Sequence, residues 1–164
     1  MRKTLLASIA ALSLLLSGWV VANTPYAKQK VVYHVNYFDV KRSIGAMRNA
    51  QNHINALGEG NHEIRFVLHG NGVELLRKVS QESTDAANRI DSLRSQGVKF
   101  NICANTLKGR KIALEDLHFA EQSDIVPSGV AEIGKLQQEG FVYLRPKKRA
   151  SFCRLNTRYE KLSR

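Results

Sequence analysis

The segment Val31-Val32-Tyr33-His34-Val35-Asn36-Tyr37-Phe38-Asp39 sets a pattern that the rest of the chain repeats. Its continuous apolar run, residues 31–35, is typical of a strand that is buried on both faces of a parallel sheet. Asp39 is a helix-capping residue, and apolar residues such as Met47 and Leu57 follow it at helical spacing until Gly58 ends the helix. A strand that leads directly into a helix predicts the first half of a βαβ unit.

The same alternation of short apolar runs and helix-like stretches continues to Pro146. It predicts further strands at residues 63–68, 98–103, 124–126 and 141–144. It also predicts helices at 73–79 and 105–111, a helix capped by Thr84 or Asp85, and one with Pro127 in its first turn that buries Val130, Ile133 and Leu136. Residues 113–123 have no clear pattern. We therefore expect one α/β domain over residues 30–146, a three-layer sandwich around a mostly parallel five-stranded sheet.

The amino terminus has the order of a secretory signal peptide. Met1-Arg2-Lys3 supplies positive charge, an apolar run follows from Leu5 to Leu16, and Val20-Val21-Ala22 offers small residues for cleavage. The apolar run is shorter than the roughly 20 residues that cross a bilayer. We expect cleavage after residue 22, a linker at 23–29, a periplasmic location and no membrane span in the mature protein.

The chain is strongly basic, with 25 Lys and Arg against 14 Asp and Glu. The charge is concentrated at the carboxyl end, where the last twenty residues contain eight basic residues and one acid, Glu160. A basic tail at 147–164 binds acidic partners or is simply solvated, and the sequence leaves both open. Nucleic acid is not an expected partner, because an exported protein seldom meets it.

Reactive groups are expected where the strands end, since ligands collect beyond the carboxyl ends of parallel strands. His34 to Asn36, His69 to Gly72, and Cys103 to Thr106 each follow a predicted strand. Cys103 lies between a strand and a helix, where unpaired N–H groups and nearby Lys108, Arg110 and Lys111 favour a thiolate. A buried cysteine that only packs in the core would occupy the same position.

Other kinds of site have weaker support. His34 and His69 would come near Cys103 if their strands were neighbours, but no close metal-ligand spacing such as HxxxH or CxxC is present. The first strand is followed by neither glycines nor a run of hydroxyls, so no flavin or other nucleotide cofactor is indicated. We expect neither a cofactor nor a metal.

The segment Gly97-Val98-Lys99-Phe100-Asn101-Ile102-Cys103-Ala104-Asn105-Thr106-Leu107 resembles the cysteine motif of DsrE/DsrF-like proteins, which include the TusD subunit of the bacterial sulfur relay. His69-Gly70-Asn71-Gly72-Val73 and Val126-Pro127-Ser128-Gly129-Val130 extend the resemblance, which covers about residues 30–146. The resemblance implies a flavodoxin-like sandwich and a trimer or hexamer.

The resemblance also implies a role for Cys103: it would accept sulfane sulfur as a persulfide and pass it to a partner protein. Asn36, His69, Asn71, Asn105 and Thr106 would form the pocket. The chain would then be, if an enzyme, a sulfurtransferase-like carrier. Relay members act in the cytosol, so the predicted export separates this chain from their pathway. The alternative is a non-catalytic assembly module that recruits partners through its basic tail.

A second cysteine, Cys153, lies in the tail. It would resolve an oxidised Cys103, form a disulfide with it, or remain a tail thiol, and the sequence leaves these alternatives open.

Overall fold

The computed structural model describes residues 25–147, which form a sandwich around one five-stranded sheet. The predicted signal peptide (1–22) and nearly all of the tail, with Cys153, lie outside the described residues. The strands are β1 (Gln29–Val35), β2 (His62–Leu68), β3 (Lys99–Cys103), β4 (Ile125–Val126) and β5 (Val142–Leu144). Their order is β4-β3-β2-β1-β5, and every adjacent pair is parallel. The predicted strands and the α/β class are confirmed.

Helices α1 (Val40–Leu57) and α3 (Thr84–Ser95) cover one face of the sheet. Asp39 caps α1 as predicted, since its carboxylate accepts a hydrogen bond of 2.9 Å from the backbone N–H of Arg42. Met47 and Ile90 are buried on these helices and pack into one core with Phe66 of β2. The apolar faces of both helices therefore pack against the sheet.

Helix α5 (Gly129–Gln138) covers the other face. It connects β4 to β5, which lie at opposite edges of the sheet, so it has to cross the strands between them. Its buried residues Ile133 and Leu136 pack against Val32, Val67 and Phe141. One helical layer on each face of a parallel sheet confirms the flavodoxin-like three-layer sandwich.

Short helical segments fill the connections on either side of β3. After β2, a 3₁₀ turn (Gly70–Val73) leads into a π-helical turn (Leu75–Val79) and the brief α2 (Ser80–Glu82), where the sequence predicted one helix. After β3 comes α4 (Ala104–Arg110). The stretch without a clear pattern contains two 3₁₀ turns, Leu114–Asp116 and Gln122–Asp124.

Two helix starts differ from the prediction. Ser83 rather than Thr84 or Asp85 caps α3, because its hydroxyl accepts the hydrogen bond from the N–H of Ala86. Ser128 caps α5, so Pro127 precedes the helix instead of lying in its first turn. Several residues near a helix start can accept from its free N–H groups, and only the backbone angles decide which one does.

The prediction that Val130 is buried is wrong, since this residue is 67% exposed. The buried residues of α5 are Gly129, Ile133 and Leu136, at i, i+4 and i+7. Val130 lies one position further along and therefore about 100° around the helix from that stripe. It faces solvent in the described structure.

Within residues 25–147, none of the helices is both long and apolar enough to cross a membrane.

Candidate functional site

Cys103 is the last residue of β3 and lies where the carboxyl ends of the strands meet. It is a free thiol and only 5% exposed. Burial raises its pKa, but hydrogen bonds from the N–H of Gly129, the Thr106 hydroxyl and the N–H groups of Thr106 and Asn105 more than offset this. The net effect lowers the pKa of the thiol below its ordinary value. The position therefore favours the nucleophilic thiolate.

The source of this stabilisation agrees with one part of the prediction, since N–H groups at the start of α4 lower the pKa as expected, and differs from the other part. The sequence suggested that the positive charges of Lys108, Arg110 and Lys111 would contribute, but the groups that lower the pKa are hydrogen-bond donors. Arg110 instead donates to the side-chain oxygen of Asn71 at 2.7 Å and lies 3.7 Å from the carboxylate of Glu74. The groups that lower the pKa of the thiol are thus hydrogen-bond donors, and these three basic side chains are not among them.

Gly129 brings the start of α5 against the thiol. A Cβ on this residue would lie 2.9 Å from the Cβ of His69 and 3.3 Å from the Cβ of Cys103. The first of these distances is too short for real carbon atoms, so residue 129 has to be glycine for α5 to start here. The backbone N–H of Gly129 reaches the sulfur because no side chain separates them.

Thr106 connects the thiol to the turn after β2. Its hydroxyl donates to Cys103 and accepts a hydrogen bond of 2.9 Å from the N–H of Gly70. The next glycine, Gly72, is packed so tightly that a Cβ there would lie 1.8 Å from the carbonyl oxygen of Val35. The predicted residues Asn105, Thr106 and His69 are therefore gathered around Cys103.

A hydrogen-bonded row of rings crosses the neighbouring strand ends. The Nε2 atoms of His34 and His69 are 2.6 Å apart, and the Nδ1 of His34 is 2.6 Å from the hydroxyl of Tyr143. Burial, followed by the charges of His69 and Arg145, lowers the pKa of His34 to about 4. Burial and Arg145 also lower the pKa of His69. Both imidazoles are therefore neutral at pH 7, so one can donate to the other.

The sequence raised the idea of a metal held by His34, His69 and Cys103. The two histidines do meet, but they hydrogen-bond to each other. In the part of the chain that the structure describes, no three His, Cys, Asp or Glu side chains are arranged to hold a metal ion.

The remaining two predicted pocket residues lie at the rim. Asn36 accepts a hydrogen bond of 3.1 Å from Arg145, and Asn71 accepts the one from Arg110. Both asparagines thus position arginines, and neither is among the groups that hydrogen-bond to the thiol. Their predicted place at the carboxyl edge is correct, but they do not contact the sulfur.

Three residues of this arrangement were not singled out as site residues from the sequence: Gly129, Tyr143 and Arg145. The sequence does contain a signal for Gly129, because this residue follows a predicted strand and a serine, Ser128, that can cap a helix. Tyr143 and Arg145 join the site because β5 pairs with β1. No local pattern specifies which strands become neighbours.

A cavity of about 590 Å³ lies away from Cys103. It is lined by residues of α1, among them Arg42 and Asn49, and by Pro146 and Lys147.

Comparison with known proteins agrees with the cysteine motif and the fold. Residues 19–146 match the model of the DsrE/DsrF-like family. A solved structure, that of the protein of unknown function MTH1491 from Methanobacterium thermoautotrophicum, is 30% identical, with a TM-score of 0.60. The match covers 72% of this chain and 99% of that one. No curated protein matches. The chain therefore belongs to the DsrE/DsrF-like family, and this membership suggests a role of the sulfur-relay type.

Proposed function

We propose that this protein carries sulfane sulfur as a persulfide on Cys103 and passes it to a partner protein. The observation that carries the proposal is the set of four hydrogen-bond donors around a buried thiol, which lower its pKa despite burial. A core cysteine that only packs has no need of donors directed at its sulfur. Membership in the DsrE/DsrF-like family supports the same chemistry.

The loading step balances without an added oxidant. The Cys103 thiolate attacks the sulfane sulfur of a donor such as thiosulfate, and a new S–S bond forms. The old S–S bond breaks, and sulfite leaves with its electron pair. The product is the Cys103 persulfide anion. In the unloading step a partner thiolate attacks the outer sulfur, and Cys103 leaves as a thiolate that the same donors stabilise.

The two histidines fit a pocket that has to hold an anion without protonating it. His34 and His69 have lowered pKa values and are neutral at pH 7. A neutral imidazole provides hydrogen-bond capacity beside the sulfur but does not supply a proton as readily as imidazolium does.

Location and assembly are further parts of the proposal. The charged and apolar amino terminus supports export to the periplasm through a cleaved signal peptide. The resemblance to DsrE/DsrF-like proteins supports a trimer or hexamer. Strand β5 is an edge strand whose residues Val142, Tyr143 and Leu144 are exposed, and such an edge suits contact with another chain.

Intact-mass spectrometry of the purified mature protein tests the sulfur chemistry. After treatment with thiosulfate or inorganic polysulfide, we expect about 32 Da added per sulfur, and a loss of this mass on addition of a reductant. The matched pair of variants is Cys103→Ser, which should not gain the mass, and Cys153→Ser, which should gain it like the parent.

Uptake of sulfur by Cys103→Ser equal to that of the parent would disprove the carrier role of Cys103. An alkylation rate whose midpoint lies at or above the ordinary thiol pKa of about 8.5 would also count against it and favour the assembly module.

A further inference from the structure

Arg145 is a charged residue at the rim of the site, and it has no carboxylate partner among the described residues. Its guanidinium donates to the side-chain oxygen of Asn36 at 3.1 Å. Within residues 25–147, no Asp or Glu lies within salt-bridge distance of it. Arg110, on the other side of the site, differs because it shares the buried carboxylate of Glu74 with Arg77. Arg145 therefore has a positive charge that no carboxylate of the described chain neutralises.

The order of the strands sets the distance between this charge and the thiol. Cys103 ends β3, His69 follows β2, and Asn36 follows β1, and these three strands are consecutive in the sheet. Neighbouring strands are about 4.8 Å apart, so the Asn36 end of the row lies roughly 10 Å from Cys103. Arg145 is anchored at that end by its hydrogen bond to Asn36.

The side chains between the thiol and Arg145 include His69 and His34, which are both neutral at pH 7 because burial and nearby positive charge lower their pKa values. His69, His34 and Tyr143 fill this stretch and hydrogen-bond to one another. The charge of Arg145 lowers the pKa of both histidines, so it lies near enough to act on them. A ligand lying along the edge would thus meet a sulfur nucleophile at one end, two neutral imidazoles and a tyrosine ring in the middle, and at the other end a guanidinium that pairs with no carboxylate of the described residues.

We propose that Arg145, held by Asn36, binds a carboxylate of a small organic persulfide whose sulfane sulfur is placed at Cys103. This inference rests on the proposed function and names the class of sulfur donor. Thiosulfate has a single S–S bond and is too short to span the roughly 10 Å between Cys103 and the Asn36 end of the row. A thiol peptide with a carboxylate several bonds from its sulfur has the required length and charge.

The transfer of sulfur from such a donor to Cys103 needs no oxidant or reductant. The Cys103 thiolate attacks the outer sulfur of the protonated persulfide, and the bond between Cys103 and that sulfur forms. The S–S bond within the donor breaks, and the donor leaves as a thiolate with the electron pair. The proton stays on the transferred sulfur, and nothing is oxidised or reduced overall.

The test compares two donors with the same sulfur chemistry and different charge, glutathione persulfide and the persulfide of glutathione diethyl ester. Loading rates are measured by intact mass in the Cys153→Ser background, at low ionic strength, so that only Cys103 is observed. We expect a preference for the acid over the ester of roughly fivefold, the size of one exposed ion pair. The preference should shrink in high salt.

The deciding variants are Arg145→Gln, which should lose the preference, and Arg48→Gln, which removes an equal charge from the exposed face of α1 and should keep it. Equal rates for acid and ester in the parent, or an undiminished preference in Arg145→Gln, would overturn the inference. If polysulfide loads the parent in either of those cases, the proposed function stands. If no donor loads Cys103, the proposed function fails as well.

Discussion

At the scale of single residues, the site depends on the missing side chain of Gly129. Gly129 has no Cβ, so the first turn of α5 can lie against both His69 and Cys103. Its backbone N–H then reaches the sulfur. A second glycine of the same helix, Gly134, has open space around it. Substituting alanine at each position therefore separates the effect of crowding, which is present only at Gly129, from the effect of helix propensity, which is present at both.

We expect Gly129→Ala to destabilise the protein by about 1–3 kcal/mol, because the new methyl group must displace His69 or the helix. The thiol pKa should rise, since the N–H of residue 129 moves away from the sulfur. Gly134→Ala should leave the thiol pKa unchanged and stabilise the helix by up to about 1 kcal/mol. Urea unfolding and the pH dependence of the iodoacetamide rate measure the two effects. A Gly129→Ala protein with parental stability and thiol pKa would contradict the model of the site.

At the scale of elements, one hydroxyl joins two connections that are far apart in the sequence. Thr106 in the first turn of α4 accepts from Gly70 in the turn after β2 and donates to Cys103 at the end of β3. Its donor and its acceptor capacity are thus both used. The position of α4 relative to the glycine turn and the basicity of the thiol are coupled through this side chain.

Replacing Thr106 with Val keeps the shape of the side chain and removes the hydroxyl. We expect a higher thiol pKa and a loss of about 1 kcal/mol of stability, because the N–H of Gly70 loses its partner. Thr106→Ser retains the hydroxyl and should preserve the thiol pKa. The alkylation rate as a function of pH measures the shift. An unchanged midpoint in Thr106→Val would show that the hydroxyl does not act on the sulfur.

At the scale of the whole molecule, the buried His34 is expected to make the fold sensitive to acid. The folded protein holds His34 with a pKa of about 4, whereas an unfolded histidine titrates near 6.5. Between these values the unfolded chain binds more protons than the folded one, so stability falls as the pH falls. His69 and His53 act in the same direction, since burial lowers the pKa of both.

We therefore expect the free energy of unfolding to decrease as the pH is lowered from about 6.5 towards 4. His34→Gln should show a smaller decrease over pH 5–6.5, a range above the usual titration of carboxylates. Urea unfolding at constant ionic strength measures how the free energy of unfolding changes with pH in the parent and in His34→Gln. The difference between the two proteins at pH 7.5 gives the loss of stability that the substitution itself causes. Equal slopes in parent and variant would rule out His34 as a source of the acid sensitivity.

The sequence by itself determined the elements of this protein and the position of Cys103 at a strand end. Apolar runs and capping residues are local signals, so they predicted the five strands, the cap of α1 at Asp39, and Cys103 at a strand end. Local signals also placed His69, Asn105 and Thr106 at the carboxyl edge.

Only the tertiary structure decided what surrounds the sulfur. The strand order brings Tyr143 and Arg145 to the end of β1, and the crossing of α5 brings Gly129 to Cys103. The sequence suggested both the N–H groups of the following helix and nearby lysines and arginines as the source of thiolate stability. The N–H groups of Asn105 and Thr106, which are local to Cys103, do lower the pKa, together with the Thr106 hydroxyl. The N–H of Gly129 could not be predicted in this way, because a hydrogen bond depends on direction and contact, and Gly129 is far from Cys103 in the sequence.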